Sequence, residues 1–243
     1  MRSRWYCKYK LAHRGLHNDK FPENSLGAFE NACKNGFAIE LDVRLLQDGT
    51  PVIIHDPTLL RMCGVDKRIC DITIDELKNY TLSKSKYTIP TLREVLDLVN
   101  SRVPIMIELK PVKRKEKIEQ KVYEIIKDYQ GDIAVKSFNP LSMIWFKRHA
   151  PEIIRGMLAS SFNDVDGLPR LYKRLIKKLS LFRLVKPDFI SYNHEDLPNK
   201  YVTKRKVPVL AWTITDAESE KRALLNADNV IFEGYIPKSN VNY

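Results

Sequence analysis

The sequence predicts an α/β protein, and in particular a TIM (β/α)8 barrel. Short apolar runs alternate with amphipathic helical patterns along the whole chain of 243 residues, which is typical of βα units and a parallel sheet. Eight such strand-like runs are present, the number that closes a TIM barrel. An open doubly wound sheet is the alternative, but no glycine-rich phosphate loop of the GxGxxG type favours it.

The predicted strands are runs rich in β-branched and aromatic residues. In chain order they are Lys8–His13, Phe37–Leu45, Val103–Lys110, Asp132–Phe138, Ile154–Leu158, Pro187–Ser191, Val207–Ile214 and Asn229–Glu233. Apolar residues that recur every three to four positions predict the helices between them. These are Ser25–Asn35, Leu92–Asn100, Arg114–Tyr129, Pro140–Ala150, Leu168–Leu184 and Asp216–Asn226.

One segment departs from this alternation. Asp48-Gly49 lies between two apolar runs, and this dipeptide predicts a β-hairpin that ends at His55. The second run is too close to be a parallel neighbour, which needs a crossover of a dozen or more residues. Residues 56–90 then form an insertion of turns with one short helix, Ile74–Tyr80. We expect a small subdomain there, within a single domain that spans residues 1–243.

Composition and charge narrow the classes of partner. The formal net charge of +11 favours anionic ligands such as phosphate esters, nucleic acid or acidic lipid headgroups. The densest basic stretch, residues 110–121, has no interleaved aromatic residues on which bases could stack, so nucleic acid is not expected. No apolar run approaches the ~20 residues that span a bilayer. No secretory signal follows the basic N-terminus, and the four cysteines form no CxxC pair, so a reducing, cytoplasmic location is expected.

Two predicted strands carry charge on one face. Side chains alternate sides along a strand, so Glu40, Asp42 and Arg44 oppose the apolar residues between them, and Glu108 and Lys110 do the same in a later strand. Unpaired buried charge is costly, and a hard divalent cation with oxygen ligands would neutralise the carboxylates. The alternative is a pair of edge strands with a solvated polar face.

Two histidines follow predicted strands. His13-Arg14-Gly15 ends the first strand, and His55-Asp56 ends the hairpin. Cleavage of a phosphodiester needs a base for the attacking oxygen and an acid for the departing alkoxide, and histidine suits both roles. A metal and cationic side chains would stabilise the charge on the phosphoryl oxygens. Each histidine taken alone is more often a hydrogen-bonded structural residue, so the prediction depends on their joint placement.

In these residues the chain resembles the glycerophosphodiester phosphodiesterase family, in particular its small bacterial cytoplasmic type. The resemblance runs in family order from the first strand nearly to the last. The matching stretches are His13-Arg14-Gly15, Pro22-Glu23-Asn24-Ser25, Ile39-Glu40-Leu41-Asp42-Val43-Arg44, Asp48-Gly49, His55-Asp56, Ile89-Pro90-Thr91-Leu92, Glu108-Leu109-Lys110, Ser137-Phe138 and Trp212-Thr213.

The resemblance implies a TIM-barrel enzyme that hydrolyses glycerophosphodiesters to glycerol 3-phosphate and an alcohol. By the family pattern, His13 and His55 are the acid/base pair, without a decision on which is the base. It further implies three ligands of one divalent cation, Mg²⁺ or Ca²⁺ (Glu40, Asp42 and Glu108), two groups on the phosphate (Arg14 and Lys110), one on the glycerol side (Trp212) and two that shape the pocket (Glu23 and Asn24). The sequence alone equally allows Asn24 or Ser25 to cap a helix.

Other interpretations remain open at this stage. The segment Phe232-Glu233-Gly234-Tyr235-Ile236-Pro237 departs from the family pattern, which leaves the headgroup open. The basic, amphipathic helix Leu168–Leu184 is either an outer barrel helix or a surface that rests weakly on an anionic membrane. In the second case a lysophospholipase D is the alternative enzyme. A non-catalytic basic binding protein is a third reading, and the oligomeric state is left open.

Overall fold

The computed structural model describes residues 3–110, 117–161 and 170–239. Among these residues all nine strands belong to one sheet, and eight of them have the parallel order of a TIM (β/α)8 barrel, so the predicted fold class is confirmed. Backbone proximity divides the chain into two compact units, one formed by Leu11–Ile133 and the other by the remaining described residues. No helix among the described residues is long and apolar enough to cross a membrane.

The strands lie close to the positions that the sequence predicts. They are β1 (Leu11–Ala12), β2 (Ala38–Leu45), β3 (Pro51–Ile53), β4 (Ile105–Leu109), β5 (Ile133–Ser137), β6 (Ile154–Ala159), β7 (Phe189–Asn193), β8 (Val209–Ile214) and β9 (Asn229–Phe232). The α-helices of the described residues are α1 (Trp5–Lys8), α2 (Leu26–Asn35), α3 (Leu60–Cys63), α4 (Ile74–Leu77), α5 (Leu92–Val99), α6 (Ile118–Ile126), α7 (Pro140–His149), α8 (Arg170–Lys177), α9 (Phe182–Val185), α10 (Lys200–Thr203) and α11 (Ala217–Ala223). Short 3-10 turns occupy Ile69–Asp71, Leu82–Lys84 and His194–Asp196.

The first predicted strand begins too early. Lys8 ends helix α1 instead of starting β1, because the N–H of Tyr9 donates to the carbonyl of Trp5 and closes a helical turn. Both aromatic residues of this turn are buried, and the ring of Tyr6 lies 4.9 Å from that of Phe189. Burial of two large rings therefore outweighs the strand propensity of this short segment.

In the unit Leu11–Ile133, β2 pairs in parallel with β1 and β4, and the predicted hairpin is confirmed by the antiparallel pairing of β2 with β3. The helices begin at polar caps. The hydroxyl of Ser25 accepts the N–H of Ala28 at the start of α2, and Thr91 forms a capping box with Glu94 at the start of α5. These caps satisfy N–H groups that have no partner within the helix.

The insertion has a hydrophobic cluster of its own. Leu59, Met62, Ile69, Ile72, Leu77, Leu82 and Ile89 are buried together with Leu46, Val52 and Ile54 from the hairpin. The helix predicted at Ile74–Tyr80 is α4, which is shorter than expected. Because the cluster joins the insertion to the β2–β3 hairpin, the backbone that follows His55 is anchored by packed side chains on both sides.

In the other unit, strands β5 to β9 pair in parallel from β5–β6 through β8–β9. The predicted helix Leu168–Leu184 is wrong as a continuous element, because Leu179 has a left-handed backbone (φ 52°) and is fully buried. The chain therefore stops α8 at Lys177 and starts α9 at Phe182. Leu168 and the basic residues Lys113-Arg114-Lys115 lie outside the described residues.

Candidate active site

The loop after β1 carries His13, Arg14 and Gly15 in a tight turn. The N–H of Gly15 donates to the carbonyl of Ala12 at 3.2 Å, and both Arg14 (φ 56°) and Gly15 (φ 80°) have left-handed backbone. A Cβ atom on Gly15 would lie 2.9 Å from the side chain of Ala28. Glycine is therefore required here by conformation and by space, and the turn fixes the two preceding side chains at the end of the strand.

Three carboxylates from β2 and β4 lie together. The parallel register places Asp42 opposite Glu108, and Glu40 shares their face because it lies two positions before Asp42. One oxygen atom from each carboxylate lies within 4.8 Å of the other two, and all three residues are buried. The alternation in the sequence thus corresponds to a real cluster of the three predicted metal ligands.

Two cationic side chains contact the same cluster. The Nζ of Lys110 lies 3.1 Å from Oδ1 of Asp42 and 2.5 Å from Oε1 of Glu108. The Nε of Arg14 lies 3.5 Å from Oδ2 of Asp42, and its backbone N–H donates to Oε2 of Glu40 at 3.2 Å. Since these groups are largely withdrawn from water, their charges interact more strongly than on an open surface.

The pKa values in the cluster follow from burial and charge. Burial alone would raise the pKa of the Asp42 carboxyl, but the positive charges of Lys110 and Arg14, together with that of His55 when its ring is protonated, outweigh it and hold that pKa well below its usual range. Burial lowers the pKa of the Lys110 ammonium, yet Asp42 and Glu108 raise it above its ordinary value. Both side chains therefore stay charged at neutral pH.

The segment before α2 supplies two further polar groups. Ser25 caps the helix, which leaves Asn24 to donate its Nδ2 to Oδ2 of Asp42 at 3.0 Å. Asn24 is buried and has a left-handed backbone (φ 56°). Glu23 accepts a hydrogen bond from Nη1 of Arg14 at 2.8 Å. The sequence allowed Asn24 or Ser25 to cap the helix. In the structure Ser25 is the cap of α2, and Asn24 bonds to Asp42 instead.

His55 follows β3 and is held at two points. Its Nδ1 lies 2.7 Å from Oδ1 of Asp56, and its carbonyl accepts Nε of Arg44 at 2.8 Å. Because a carboxylate only accepts hydrogen bonds, Nδ1 carries the proton and Nε2 is left as the basic atom. Burial lowers the pKa of the His55 imidazole, and the charges of Lys110 and Arg14 lower it further against the opposing effect of Asp42 and Asp56.

Arg61 in α3 is a contact that sequence reasoning missed. Its Nη1 and Nη2 donate to the two carboxylate oxygens of Glu23 at 2.8 and 2.7 Å, while Nε donates to Oδ2 of Asp56 at 2.5 Å. The sequence placed Arg61 in an insertion of turns, where no strand or helix period indicates the direction of a side chain. One indication of the contact with Asp56 is present in the sequence, which is that Arg61 lies five residues after it.

All predicted site residues except Trp212 belong to the unit Leu11–Ile133. His13 is half-buried, and in its protonated form it would add to Lys110, His55 and Arg14 in lowering the pKa of Asp42. Trp212 lies on β8 of the other unit, where its ring packs edge-on against Phe138 at 5.8 Å. The Nε1 of Trp212 is buried and has no hydrogen-bond acceptor among the described residues.

The donor set fits a hard divalent cation. Glu40, Asp42 and Glu108 offer oxygen atoms only, with no cysteine or histidine in the group, and Mg²⁺ and Ca²⁺ prefer oxygen ligands. Three carboxylates brought within 4.8 Å repel one another unless a cation lies between them. The cluster could therefore hold a metal ion.

Comparisons with known proteins agree with this geometry. The model of the glycerophosphoryl diester phosphodiesterase family matches residues 13–232. A glycerophosphodiester phosphodiesterase from Bacillus altitudinis is 39% identical over 178 residues, which cover 68% of this chain and 71% of that protein.

Solved structures give the same result. An Oleispira antarctica phosphodiesterase in complex with the product sn-glycerol-3-phosphate is 26% identical, with a TM-score of 0.79 and 96% of each chain covered. A glycerophosphodiester phosphodiesterase from Thermotoga maritima is 27% identical, with a TM-score of 0.71 and coverage of 92% of this chain and 93% of that chain. The chain therefore belongs to the glycerophosphoryl diester phosphodiesterase family and is an enzyme of phosphodiester cleavage.

Proposed function

We propose that this enzyme hydrolyses small glycerophosphodiesters to glycerol 3-phosphate and an alcohol, with one Mg²⁺ or Ca²⁺ ion bound by Glu40, Asp42 and Glu108. The observation that carries the proposal is the cluster of these three carboxylates, with ligand atoms within 4.8 Å and Lys110 in contact with two of them. The product complex of the Oleispira antarctica relative supports the choice of substrate class.

The acid/base pair in this proposal is His13 and His55. One histidine takes the proton of the attacking oxygen, which belongs to water or to the glycerol 2-hydroxyl, and the other gives a proton to the departing alkoxide. The contact of Nδ1 with Asp56 supports the role of His55, because it leaves Nε2 as the atom that exchanges the proton. The lowered pKa of His55 keeps this ring neutral at pH 7.

The phosphate is held by Arg14 and Lys110, whose charges oppose the charge that develops on the phosphoryl oxygens. A bound divalent cation supplies further stabilisation of that charge as a Lewis acid. Asn24 and Glu23 keep Asp42 and Arg14 in position through their hydrogen bonds. We assign the glycerol side to Trp212, because Trp212-Thr213 matches the family pattern.

The test is release of glycerol 3-phosphate from glycerophosphocholine, glycerophosphoethanolamine and glycerophosphoglycerol. We expect His13→Ala and His55→Ala to lose about 10²- to 10⁴-fold in kcat. Chelation should abolish release, and titration calorimetry should show metal binding that Glu108→Gln weakens. His149→Ala is the matched control, since His149 is exposed and stacks on Trp145 in α7.

Two results would overturn this assignment. Full activity in either of the two histidine variants would remove that residue from the acid/base pair. Release that persists in excess chelator, with no metal bound in calorimetry, would remove the cation from the reaction. The panel also ranks the headgroup alcohols, which the sequence leaves open.

A lysophospholipase D reaction at an anionic membrane is the second candidate function. It is favoured by three exposed leucines, Leu171, Leu175 and Leu184, beside the exposed cations Arg174 and Arg183. Apolar side chains flanked by arginine are typical of a surface that rests on anionic lipid. Binding of this kind would bring the same chemistry to lysophospholipids.

Vesicle sedimentation decides between the two candidates. We expect the second candidate to show binding to phosphatidylserine vesicles, loss of binding in Leu171→Ser/Arg174→Glu, and faster turnover of lysophosphatidylcholine than of glycerophosphocholine. Lys221→Glu is the control for net charge, since Lys221 is exposed on α11. Binding that the double variant leaves unaltered would exclude this surface.

As to location, the four cysteines form no disulfide, which supports a reducing compartment such as the cytoplasm.

A further inference from the structure

We propose that Arg61 is a positioning residue of the reaction, which orients His55 through Asp56 and Arg14 through Glu23. Arg61 lies on α3 of the insertion, so this helix takes part in the reaction through the guanidinium of Arg61. The inference rests on the proposed function, because it assumes that His55 transfers a proton and that Arg14 holds the phosphate.

The first branch runs from Arg61 to His55. Nε of Arg61 lies 2.5 Å from Oδ2 of Asp56, and the other oxygen of the same carboxylate lies 2.7 Å from Nδ1 of His55. The carboxylate of Asp56 is thus fixed on one side by a guanidinium and on the other by the imidazole. Without Arg61 it could rotate about its side-chain bonds, and the imidazole would lose a fixed direction and a fixed tautomer.

The second branch runs from Arg61 to Arg14. Glu23 accepts Nη1 and Nη2 of Arg61 at 2.8 and 2.7 Å, and its Oε1 also accepts Nη1 of Arg14 at 2.8 Å. One carboxylate therefore ties together two guanidinium groups, of which Arg14 in turn contacts Asp42 at 3.5 Å. Arg14, the proposed phosphate-binding cation, is therefore positioned by the carboxylate of Glu23. Both oxygen atoms of that carboxylate are in turn held by Arg61.

The planar geometry of the guanidinium allows Arg61 to contact both carboxylates at once. Three nitrogen atoms of Arg61 reach two carboxylates from separate segments, one before α2 and one after β3. A lysine ammonium is a point charge and cannot reproduce the bidentate contact together with the third one. The side chain of Arg61 is 47% exposed, and such an exposed pair stabilises a fold little. The main expected effect is on orientation.

The backbone that carries Arg61 is well anchored. Its neighbours Leu59 and Met62 are buried in the cluster of the insertion, and α3 ends at Gly64 in a left-handed cap (φ 73°). A residue on such a fixed turn can hold other side chains in position, because its own backbone cannot follow them. Misplacement of a reacting group by about 1 Å is enough to slow a reaction about 10²-fold.

The test compares Arg61→Ala and Arg61→Lys with the wild-type enzyme in excess Mg²⁺ and Ca²⁺, with kcat expressed per mole of folded protein. We expect Arg61→Ala to lower kcat about 10- to 100-fold, with a smaller rise in KM, and Arg61→Lys to recover part of the loss. Arg102→Ala is the matched control, since Arg102 forms a similar bidentate pair with Glu30 on an exposed surface. It should leave kcat and KM unchanged.

A spectroscopic measurement separates positioning from a structural role. In ¹⁵N-histidine spectra we expect His55 of the wild type to show one tautomer with the proton on Nδ1, and Arg61→Ala to show an average of both tautomers. If Arg61→Ala fails to fold, Arg61→Lys carries both readouts alone.

The inference is overturned if folded Arg61→Ala keeps the kcat, the KM and the His55 tautomer of the wild type. If Arg61→Ala does not fold, the same result for Arg61→Lys overturns it. In both cases the proposed function stands. Absence of glycerol 3-phosphate release by the wild type would instead overturn the proposed function. The His55→Ala variant shows which of these has failed, since it should be inactive under the proposed function whatever Arg61 does.

Discussion

His55 and Asp42 illustrate how burial and neighbouring charge act on single side chains in this site. Burial disfavours the charged form of both groups. For Asp42 the cations around it outweigh burial and the carboxylate stays ionised, whereas for His55 the same cations add to burial and the ring stays neutral. One set of charges thus favours an ionised carboxylate and a neutral imidazole within the same site.

The pH profile of the enzyme should reflect the neutral ring of His55. Because the pKa of His55 is below its ordinary value of about 6.5, we expect the fall of kcat/KM in acid to begin at a lower pH than an ordinary histidine would give, and to approach tenfold per pH unit. The bond from Asp56 raises the pKa of His55, so Asp56→Asn should shift this acid limb to lower pH. Initial rates from pH 5 to 9 measure both effects, and a flat profile would contradict the role of His55.

At the scale of elements, the hydrophobic cluster of the insertion and the packing between β6 and β7 are two places where a single substitution should lower stability. Ile72 is fully buried in the cluster. On β6, a Cβ atom at Gly156 would lie 2.1 Å from the ring of Phe189, its neighbour in the register. The first position has no tolerance for lost volume, and the second has none for added volume.

We expect Ile72→Ala to lower the free energy of unfolding by about 2–5 kcal/mol, because it removes buried methyl groups and leaves a cavity. Val65→Ala, in the exposed part of the same insertion, should change it by less than about 0.5 kcal/mol. Urea unfolding followed by circular dichroism measures both values. Equal effects of the two variants would mean that the cluster contributes nothing specific.

A second prediction concerns two glycines. Gly156→Ala should destabilise the protein by about 1–3 kcal/mol through overpacking against Phe189. Gly64→Ala should cost about 1 kcal/mol for a different reason, since its φ is +73° but nothing lies within 4 Å of the added Cβ. Thermal unfolding of both variants tests this, and a larger cost at Gly64 than at Gly156 would contradict it.

At the scale of the whole molecule, the shifted groups make stability depend on pH. Asp42 is described above. Burial raises the pKa values of Glu23 and Asp56, but hydrogen bonds, chiefly from Arg61, and nearby charge outweigh burial and leave both pKa values below their ordinary ones. An unfolded chain therefore binds more protons in acid than the folded one, so stability rises with pH in that range. Lys110 changes stability in the opposite direction. Because its pKa is raised in the folded chain, its contribution to stability is lost as the pH rises.

We expect the metal-free enzyme to keep these stabilising contributions above about pH 4–5, the unfolded pKa range of carboxyl groups, and to lose them as pH falls below it. The contribution of Lys110 should be complete below about pH 10 and be lost above it. Glu23→Gln should reduce the steepness of the acid side. Urea midpoints between pH 3 and 8 in chelating buffer measure this, and midpoints that do not change with pH would contradict it.

Much of this protein is determined by local sequence. Strand and helix periods predict the TIM barrel, and the Asp48-Gly49 dipeptide predicts the hairpin. The strand period also predicts the shared face of Glu40 and Asp42, because the geometry of a strand alone fixes which side chains point the same way. The pairing of Asp42 with Glu108 depends in addition on the register of β2 against β4, which the structure gives. Subdomain boundaries at residues 56–90 stay a prediction.

Only the tertiary structure determined how Arg61 joins Glu23 and Asp56, why Asn24 and not Ser25 reaches Asp42, and where Leu179 breaks a helix. These features depend on contacts between segments that are distant along the chain or on the burial of one side chain against others. A periodic pattern encodes the direction of a side chain within its own element. It carries no information on the partner that another element brings to it, so the charged network around Arg61 emerges only when the chain is folded.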